Sequence, residues 1–148
     1  MGSEKWEVGS DDAPKAARAV IRSYRDIDAY KRSMALLAPL HTLIRRLPKE
    51  EQWELASQLR RASKSVPANI AEGYGKKRSA REFRSFLSNA LGSSNEMVVQ
   101  LEIAVAVGYL TSEEVAPFVD EYELIGRQLY RLSETWRDFS ANGNKEKR

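Results

Sequence analysis

The residues best suited to binding a ligand are cations concentrated in one short stretch of the chain. Of the 25 residues from 60 to 84, eight are Lys or Arg. They are Arg60, Arg61, Lys64, Lys76, Lys77, Arg78, Arg81 and Arg84. Cations at this density attract phosphate, and the repeated phosphates of a nucleic acid can contact many of them together.

The chain reversal after the second predicted helix should bring these cations together beside the N-terminus of the third helix. Backbone N–H groups at that terminus add to the attraction for phosphate. Tyr74 lies within the same stretch. Its ring is suited either to stacking on an unpaired base or to packing at the end of the fold.

The charge is uneven along the chain, although the whole sequence has a formal net charge of only +3. Residues 45–84 contain 11 basic and 5 acidic residues, whereas residues 85–140 contain 3 basic and 9 acidic ones. The first stretch predicts a surface that attracts nucleic acid, and the second predicts one that repels it. Two alternatives stay open: both stretches can be solvated helix faces, or the opposite charges can meet between subunits of an oligomer.

Groups that could carry catalysis or bind a metal are few. The chain has no cysteine and a single histidine, His41, which excludes thiol chemistry, disulfides and Cys-ligated metals. It lacks the glycine-rich phosphate loop of nucleotide-binding proteins. Glu72, Glu96 and Glu102 lack the paired spacing of a metal site in a helical bundle. We therefore expect no enzyme activity, no cofactor and no metal.

Polar side chains gather in two further places, around Asn69 and Glu72 and along residues 89–100. An unpaired amide or carboxylate is costly when it is buried. We therefore interpret these residues as a hydrogen-bonded set that fixes the second helix against the third. The alternative is that some of them line a contact between subunits.

Helices must position all of these groups, because apolar residues recur at helical spacing in four stretches and no strand pattern competes. The first predicted helix covers about residues 27–47. The second begins at Pro48, a favourable first position, and is kinked near Pro67, which cannot donate to the helical ladder.

Capping patterns mark the start of the last two helices. Ser79 with Glu82 and Thr111 with Glu114 form capping boxes, and Gly108 ends the third helix. Short loops between long helices indicate antiparallel neighbours. The sequence thus predicts an all-α fold, an up-down-up-down antiparallel four-helix bundle.

The bundle accounts for most of the chain. We expect residues 26–140 to form it, residues 1–25 to be a flexible N-terminal extension, and residues 141–148 to be a disordered basic tail. No apolar run approaches the roughly 20 residues of a membrane span, and no signal sequence opens the chain. Together with the absence of cysteine, this predicts a cytoplasmic protein without membrane partners.

Several strings carry a family resemblance. The two strongest are Ser57-Gln-Leu-Arg-Arg-Ala62 and Ser65-Val-Pro-Ala-Asn-Ile-Ala-Glu-Gly-Tyr-Gly75. Ala90-Leu-Gly-Ser and Gln100-Leu-Glu-Ile-Ala104 continue the match. Over about residues 30–136, the chain resembles the bacterial four-helix-bundle family of the 23S rRNA intervening-sequence protein.

The resemblance implies a bundle that assembles into a ring, typically a homopentamer. Some members of that family are encoded inside intervening sequences of 23S rRNA genes. Related bundles are accessory variability determinants of diversity-generating retroelements, which bind a reverse transcriptase and nucleic acid. The resemblance makes Arg60 and Arg61 candidate binding residues. It gives an architectural role to Pro67, Asn69, Glu72 and Gly73.

These observations predict a non-catalytic, oligomeric accessory protein that binds nucleic acid through a basic patch. RNA or an RNA–protein complex is favoured, because no helix carries the Asn/Arg pattern of major-groove readout. The alternative is a ring-shaped protein–protein scaffold, for example an accessory subunit of a reverse transcriptase. In that case the acidic segment of the fourth helix would matter as much as the basic stretch.

Overall fold

Four helices account for most of the computed structural model, which describes residues 6–8 and 19–137. They are α1 (Asp28–Ile44), α2 (Leu55–Tyr74), α3 (Ala80–Ala106) and α4 (Ser112–Thr135). Each helix packs against the next one along the chain, and α1 also packs against α4, which closes the bundle. The predicted all-α four-helix bundle is confirmed.

Two three-residue strands precede the bundle. β1 (Trp6–Val8) and β2 (Ala19–Ile21) pair antiparallel, and a 3-10 turn at Tyr24–Asp26 leads from β2 to α1. Sequence patterns do not predict these strands, because three residues are too few to show alternation. Ile21 is buried in the core, so part of the predicted N-terminal extension packs on the bundle. Residues 1–5, 9–18 and 138–148, which include the predicted tail, lie outside the described residues.

The connection between α1 and α2 differs from the prediction. Pro48 begins only a 3-10 turn, Lys49–Glu51, and α2 starts at Leu55. The side-chain amide of Gln52 donates to the carbonyl oxygens of Leu47 at 3.0 Å and Ile44 at 3.3 Å. It thereby adds a side-chain donor at the end of α1, where the carbonyl of Ile44 also accepts from the N–H of Leu47 at 3.0 Å. This capping contact ends α1 earlier than the apolar pattern indicates.

The last two helices begin at the predicted caps. The Ser79 hydroxyl accepts from the backbone N–H of Glu82 at 3.2 Å. At α4, the Thr111 hydroxyl accepts from the N–H of Glu114 at 3.1 Å, and the Glu114 carboxylate accepts from the N–H of Thr111 at 3.0 Å. Gly108 follows α3 with a φ of +84°, a conformation that favours glycine and turns the chain into α4.

Helix α2 continues through Pro67 as one helix of 20 residues. Ser65 links α2 to α3, and of the predicted pair Asn69 and Glu72 only Asn69 belongs to this hydrogen-bonded set. The side-chain amide of Asn69 donates to the carbonyl and to the hydroxyl oxygen of Ser65, both at 2.9 Å, and the hydroxyls of Ser65 and Ser93 lie 2.8 Å apart. Glu72 is exposed.

Gly73 lets α2 and α3 approach closely near the loop that joins them. A Cβ atom at this position would lie 2.5 Å from the Cβ of Phe86 and 3.1 Å from Cδ1 of Phe83, both on α3. Two carbon atoms cannot approach to 2.5 Å without movement of the backbone that carries them. The close crossing therefore fixes the place where residues 75–79 leave α2.

Aromatic side chains fill the core beneath this loop. The Trp136 ring meets the Phe83 ring edge-on, with centroids 4.7 Å apart, and lies 6.4 Å from the ring of Tyr74. Its indole N–H donates to the carbonyl oxygen of Lys77 at 2.9 Å. The end of α4 is thus fastened to the loop between α2 and α3.

Candidate nucleic-acid interface

Half of the predicted cations come together at one end of the bundle. Lys76, Lys77 and Arg78 lie in the loop after α2, and Arg81 lies in the first turn of α3. The ammonium nitrogen of Lys77 sits 4.1 Å above the centre of the Tyr74 ring, and that of Lys76 sits 5.4 Å from the centre of the Phe86 ring. These positions are typical of cation–π contacts, which hold the two ammonium groups over the aromatic core.

Cations from two other parts of the chain join them. The guanidinium carbon of Arg25 lies 4.5 Å above the ring of Tyr24, whose centroid is 6.5 Å from that of Tyr74. Arg22 lies three residues before Arg25, and Arg137 follows the buried Trp136. We call the surface formed by residues 22–25, 76–81 and Arg137 the basic end.

The basic end contains seven cations, and two acidic residues, Asp26 and Glu82, directly follow two of its segments. Its seven cations are Arg22, Arg25, Lys76, Lys77, Arg78, Arg81 and Arg137. The nearby carboxylate of Asp26 accepts from the backbone N–H groups of Arg22 at 2.8 Å and Ser23 at 3.0 Å, which lowers its pKa. This carboxylate caps a turn and remains charged at neutral pH, so it offsets part of the positive potential.

Two predicted candidates are engaged inside the fold. Arg84 donates from Nε to the carbonyl oxygen of Ser133 at 2.8 Å and from Nη2 to that of Trp136. Arg60 donates from Nη2 to the side-chain oxygen of Gln52 at 2.6 Å and from Nη1 to its backbone carbonyl at 3.2 Å. Both arginines are half-buried, and each holds the end of one element against another.

Of the remaining two candidates, Arg61 lies apart from the basic end, whereas Lys64 lines a shallow pocket together with Tyr24 of the basic end. Arg61 and Lys64 are exposed on α2. Because α2 is continuous, the rise of 1.5 Å per residue places Arg61 about 20 Å from Lys76 along the helix axis. The expected convergence of all eight cations therefore does not occur. Cations of residues 22–25 lie at the basic end instead. Sequence spacing does not indicate this, because the segment lies about 50 positions earlier in the chain.

The opposite end of the bundle is acidic. We call residues 49–54 and 113–114 the acidic end; they contain Glu50, Glu51, Glu54, Glu113 and Glu114, together with one cation, Lys49. The N–H of Thr111 lowers the pKa of the Glu114 carboxyl, which also pairs with Arg46. The hydroxyl of Tyr109 donates to Glu51 at 2.9 Å, and this bond raises the pKa of Tyr109. The exposed Arg45 and Arg46 lie just before these residues, so the excess of negative charge at this end is smaller than the number of glutamates.

The acidic end also exposes a large aromatic side chain. The side chain of Trp53 is 89 % exposed. Val107, at the end of α3, is 55 % exposed, and the contact between Tyr109 and Glu51 brings the end of α3 beside residues 49–54. Apolar surface framed by carboxylates is suited to protein contact and not to phosphate.

Two kinds of candidate group remain, His41 and the carboxylates. His41 donates from Nδ1 to the carbonyl oxygen of Leu37 at 2.7 Å. The ring is therefore hydrogen-bonded to the backbone of its own helix. Among residues 6–8 and 19–137, no group of three His, Asp or Glu side chains could hold a metal ion. No helix in this part of the chain is long and apolar enough to cross a membrane.

A groove of about 740 Å³ lies between α3 and α4. Leu91 and the buried Gly126 form its floor, and Tyr130 stands at its rim with 60 % of its surface exposed. The sequence analysis identified neither the groove nor Tyr130, because the groove forms only where α3 and α4 pack and no motif in either helix indicates it.

The fold defines a class of protein, the all-α four-helix bundle. The sequence model of the 23S rRNA-intervening sequence protein family matches residues 25–131. The chain belongs to this family, as the sequence strings indicate. No curated protein matches it at a significant level.

A solved structure supports the fold. A crystal structure of a protein of unknown function from the S23 ribosomal protein family of Bacteroides thetaiotaomicron superposes with a TM-score of 0.65. The match has 24 % sequence identity and covers 72 % of this chain and 96 % of that one. At this identity the similarity concerns the architecture of the bundle.

Proposed function

We propose that this protein is a non-catalytic, cytoplasmic accessory protein that binds RNA or an RNA–protein complex through its basic end. The observation that carries the proposal is that cations from two distant chain segments, Arg25 on one side and Lys76 and Lys77 on the other, lie over the rings of one end of the bundle. The family's description, which refers to an intervening sequence of 23S rRNA, favours RNA over DNA.

The expected binding is electrostatic. Contacts to phosphate fix position and supply affinity, but they carry no information about sequence. The protein should therefore distinguish one RNA from another by the shape of the RNA and by its unpaired bases.

We further propose that the protein acts as a ring of identical subunits, as the family resemblance implies with its homopentamer. A ring would repeat the basic end around its axis. Several weak phosphate sites on one particle bind a long RNA far more tightly than one site does. Assembly is therefore part of the proposed mechanism, and it is measured separately from binding.

Fluorescence anisotropy with nuclease-treated protein tests the proposal. Structured RNA should bind at about 50 mM salt and much less tightly at about 200 mM, because binding releases counterions. The double variant Arg78→Glu/Arg81→Glu should abolish binding while the oligomer mass, measured by light scattering, stays unchanged. Arg45→Glu/Arg61→Glu, with the same change in charge at exposed positions away from the basic end, is the matched control and should lose much less.

Two results would overturn the proposal. The first is that the unmodified protein binds no nucleic acid at low salt. The second is that Arg78→Glu/Arg81→Glu binds as well as the unmodified protein.

One observation favours a second candidate function, a scaffold for another protein such as a reverse transcriptase. This observation is the exposed Trp53 beside the carboxylates of the acidic end. A nuclease-resistant, stoichiometric protein partner that is lost with Trp53→Ala would favour the scaffold. Recovery of nucleic acid alone would count against it.

A further inference from the structure

The groove between α3 and α4 opens beside the basic end. Arg84 on α3 reaches the carbonyl of Ser133 on α4, and Tyr130 precedes Ser133 by almost one turn. At 1.5 Å per residue, Tyr130 lies about 10 Å along the helix axis from Arg137, which belongs to the basic end. A strand whose phosphates contact the basic end can therefore extend into the groove without leaving the surface.

We propose that this groove holds an unpaired base of the bound RNA, stacked on Tyr130. The inference rests on the proposed function, because the phosphates are held at the basic end. It adds the chemical class of ligand that the groove takes: a base of a single strand. Neither the family's description nor the cation pattern assigns such a site.

The floor of the groove is apolar and is kept open by a glycine. Gly126 is buried against α3, and a Cβ atom there would lie 3.2 Å from Cδ1 of Leu91. Any larger side chain at position 126 would therefore occupy the floor. A volume of about 740 Å³ lies within the range of sites that hold small organic groups.

The rim supplies an aromatic surface for stacking. Tyr130 keeps 60 % of its surface exposed. Stacking of bases on exposed aromatic side chains is a main source of affinity for single strands, and it tolerates any base. In a duplex the faces of the bases are already covered by their neighbours, so the groove should discriminate against paired RNA.

The charges at the groove fit a base better than a phosphate. Arg127 and Arg131 line it, and so do Glu123 and Glu134, so its formal charge is balanced. A neutral base gains stacking there, whereas a lining of balanced charge offers a phosphate no net attraction. Asn95, also in the lining, has both a donor and an acceptor for the edge of a base.

Anisotropy with a short labelled single-stranded RNA, and with the duplex it forms with its complement, tests the inference. Tyr130→Ala should weaken single-strand binding roughly tenfold, as expected for the loss of one stacked base. Binding of the duplex should stay unchanged. Tyr130→Phe, which keeps the ring, should bind both probes like the unmodified protein.

Trp53→Ala is the control for loss of an exposed aromatic ring, because Trp53 lies at the acidic end. It should leave both affinities unchanged. Tyr130→Ala that binds the single strand as tightly as the unmodified protein would overturn the inference. Equal losses for single strand and duplex would overturn it as well.

The proposed function and this inference fail in different ways. If the unmodified protein binds neither probe, the proposed function fails and the inference fails with it. If Arg78→Glu/Arg81→Glu abolishes binding and Tyr130→Ala changes nothing, the basic end is the binding site and only the groove assignment is wrong.

Discussion

The guanidinium of Arg84 donates from Nε to the backbone carbonyl of Ser133 at 2.8 Å, which joins the start of α3 to the last turn of α4. The carbonyls of a last helical turn have no partners within the helix, and a cation there also interacts favourably with the helix dipole. A second bond reaches the carbonyl of Trp136. Arg84, one of the eight cations of residues 60–84, therefore makes its hydrogen bonds within the protein.

Arg84→Ala should lower the free energy of unfolding by about 1.5–3 kcal/mol, the usual loss for hydrogen bonds made by a charged group. Arg78→Ala removes the same charge from an exposed position and should change stability by less than about 0.5 kcal/mol. For RNA binding we expect the reverse: Arg78→Ala should weaken the affinity more than Arg84→Ala does. Urea unfolding and RNA titration of both variants check this, and an Arg84→Ala protein as stable as the unmodified one would contradict it.

Gly73→Ala should destabilise the fold by about 1–3 kcal/mol. Its Cβ would meet the Cβ of Phe86 at 2.5 Å, so the two helices would have to separate, and such overpacking outweighs the better helix propensity of alanine. Gly92→Ala is the matched control: Gly92 lies on the exposed side of α3 with open space around its Cβ position. It should stabilise the protein by about 0.5–1 kcal/mol.

Chemical unfolding of the two glycine variants separates the packing effect from the propensity effect. Equal changes in both proteins would show that the approach of α2 and α3 at Gly73 is not tight. Because Gly73 lies just before the loop of the basic end, Gly73→Ala should also weaken RNA binding. Gly92→Ala should leave it unchanged.

The elements of this fold are predictable because their signals are local. The capping box of Thr111 with Glu114 spans four residues, and the apolar stripe of α4 through Tyr122, Ile125 and Leu129 repeats every turn. On α3, apolar spacing is a less reliable guide to which residues are buried, because both Val98 and Met97 fit a helical stripe. Only Met97 is fully buried, because neighbouring helices decide which of two adjacent residues faces the core.

The site was predictable only in part, because its geometry depends on contacts between distant residues. Lys76, Lys77, Arg78 and Arg81 are close in the chain and stay close in the fold. The role of Arg84 depends on Ser133, which is 49 positions away, and Arg25 joins the site only because Tyr24 packs near Tyr74. No spacing rule reports such pairs without knowledge of how the helices pack.

Tyr122→Phe should leave the protein equally stable or stabilise it by about 1 kcal/mol. The Tyr122 hydroxyl is buried in the core and has no hydrogen-bond partner among the described residues. Burial also raises the pKa of this phenol, so it stays protonated at physiological pH. Removing a buried polar atom without a partner removes its desolvation cost. A loss above about 1 kcal/mol on thermal unfolding would show that the hydroxyl has a partner.

Acid should weaken the fold through two capping carboxylates, Asp26 and Glu114. Backbone N–H groups of Arg22 and Thr111, respectively, are the largest cause of their lowered pKa values. A carboxyl with a lower pKa in the folded state contributes stability above its unfolded pKa, which is about 4, and loses it as pH falls through the folded pKa. The Asp26→Asn/Glu114→Gln variant should therefore be less stable at neutral pH, and the gap should close as the pH falls below about 4.

Urea unfolding across this pH range measures the effect. Ser23→Ala provides the control, because it removes a hydroxyl of the same cap as Asp26 but no titrating group. Its loss of stability should be the same at every pH. A gap between the unmodified protein and the carboxyl variant that stays constant from neutral pH to about pH 3 would show that these carboxylates do not couple protonation to folding.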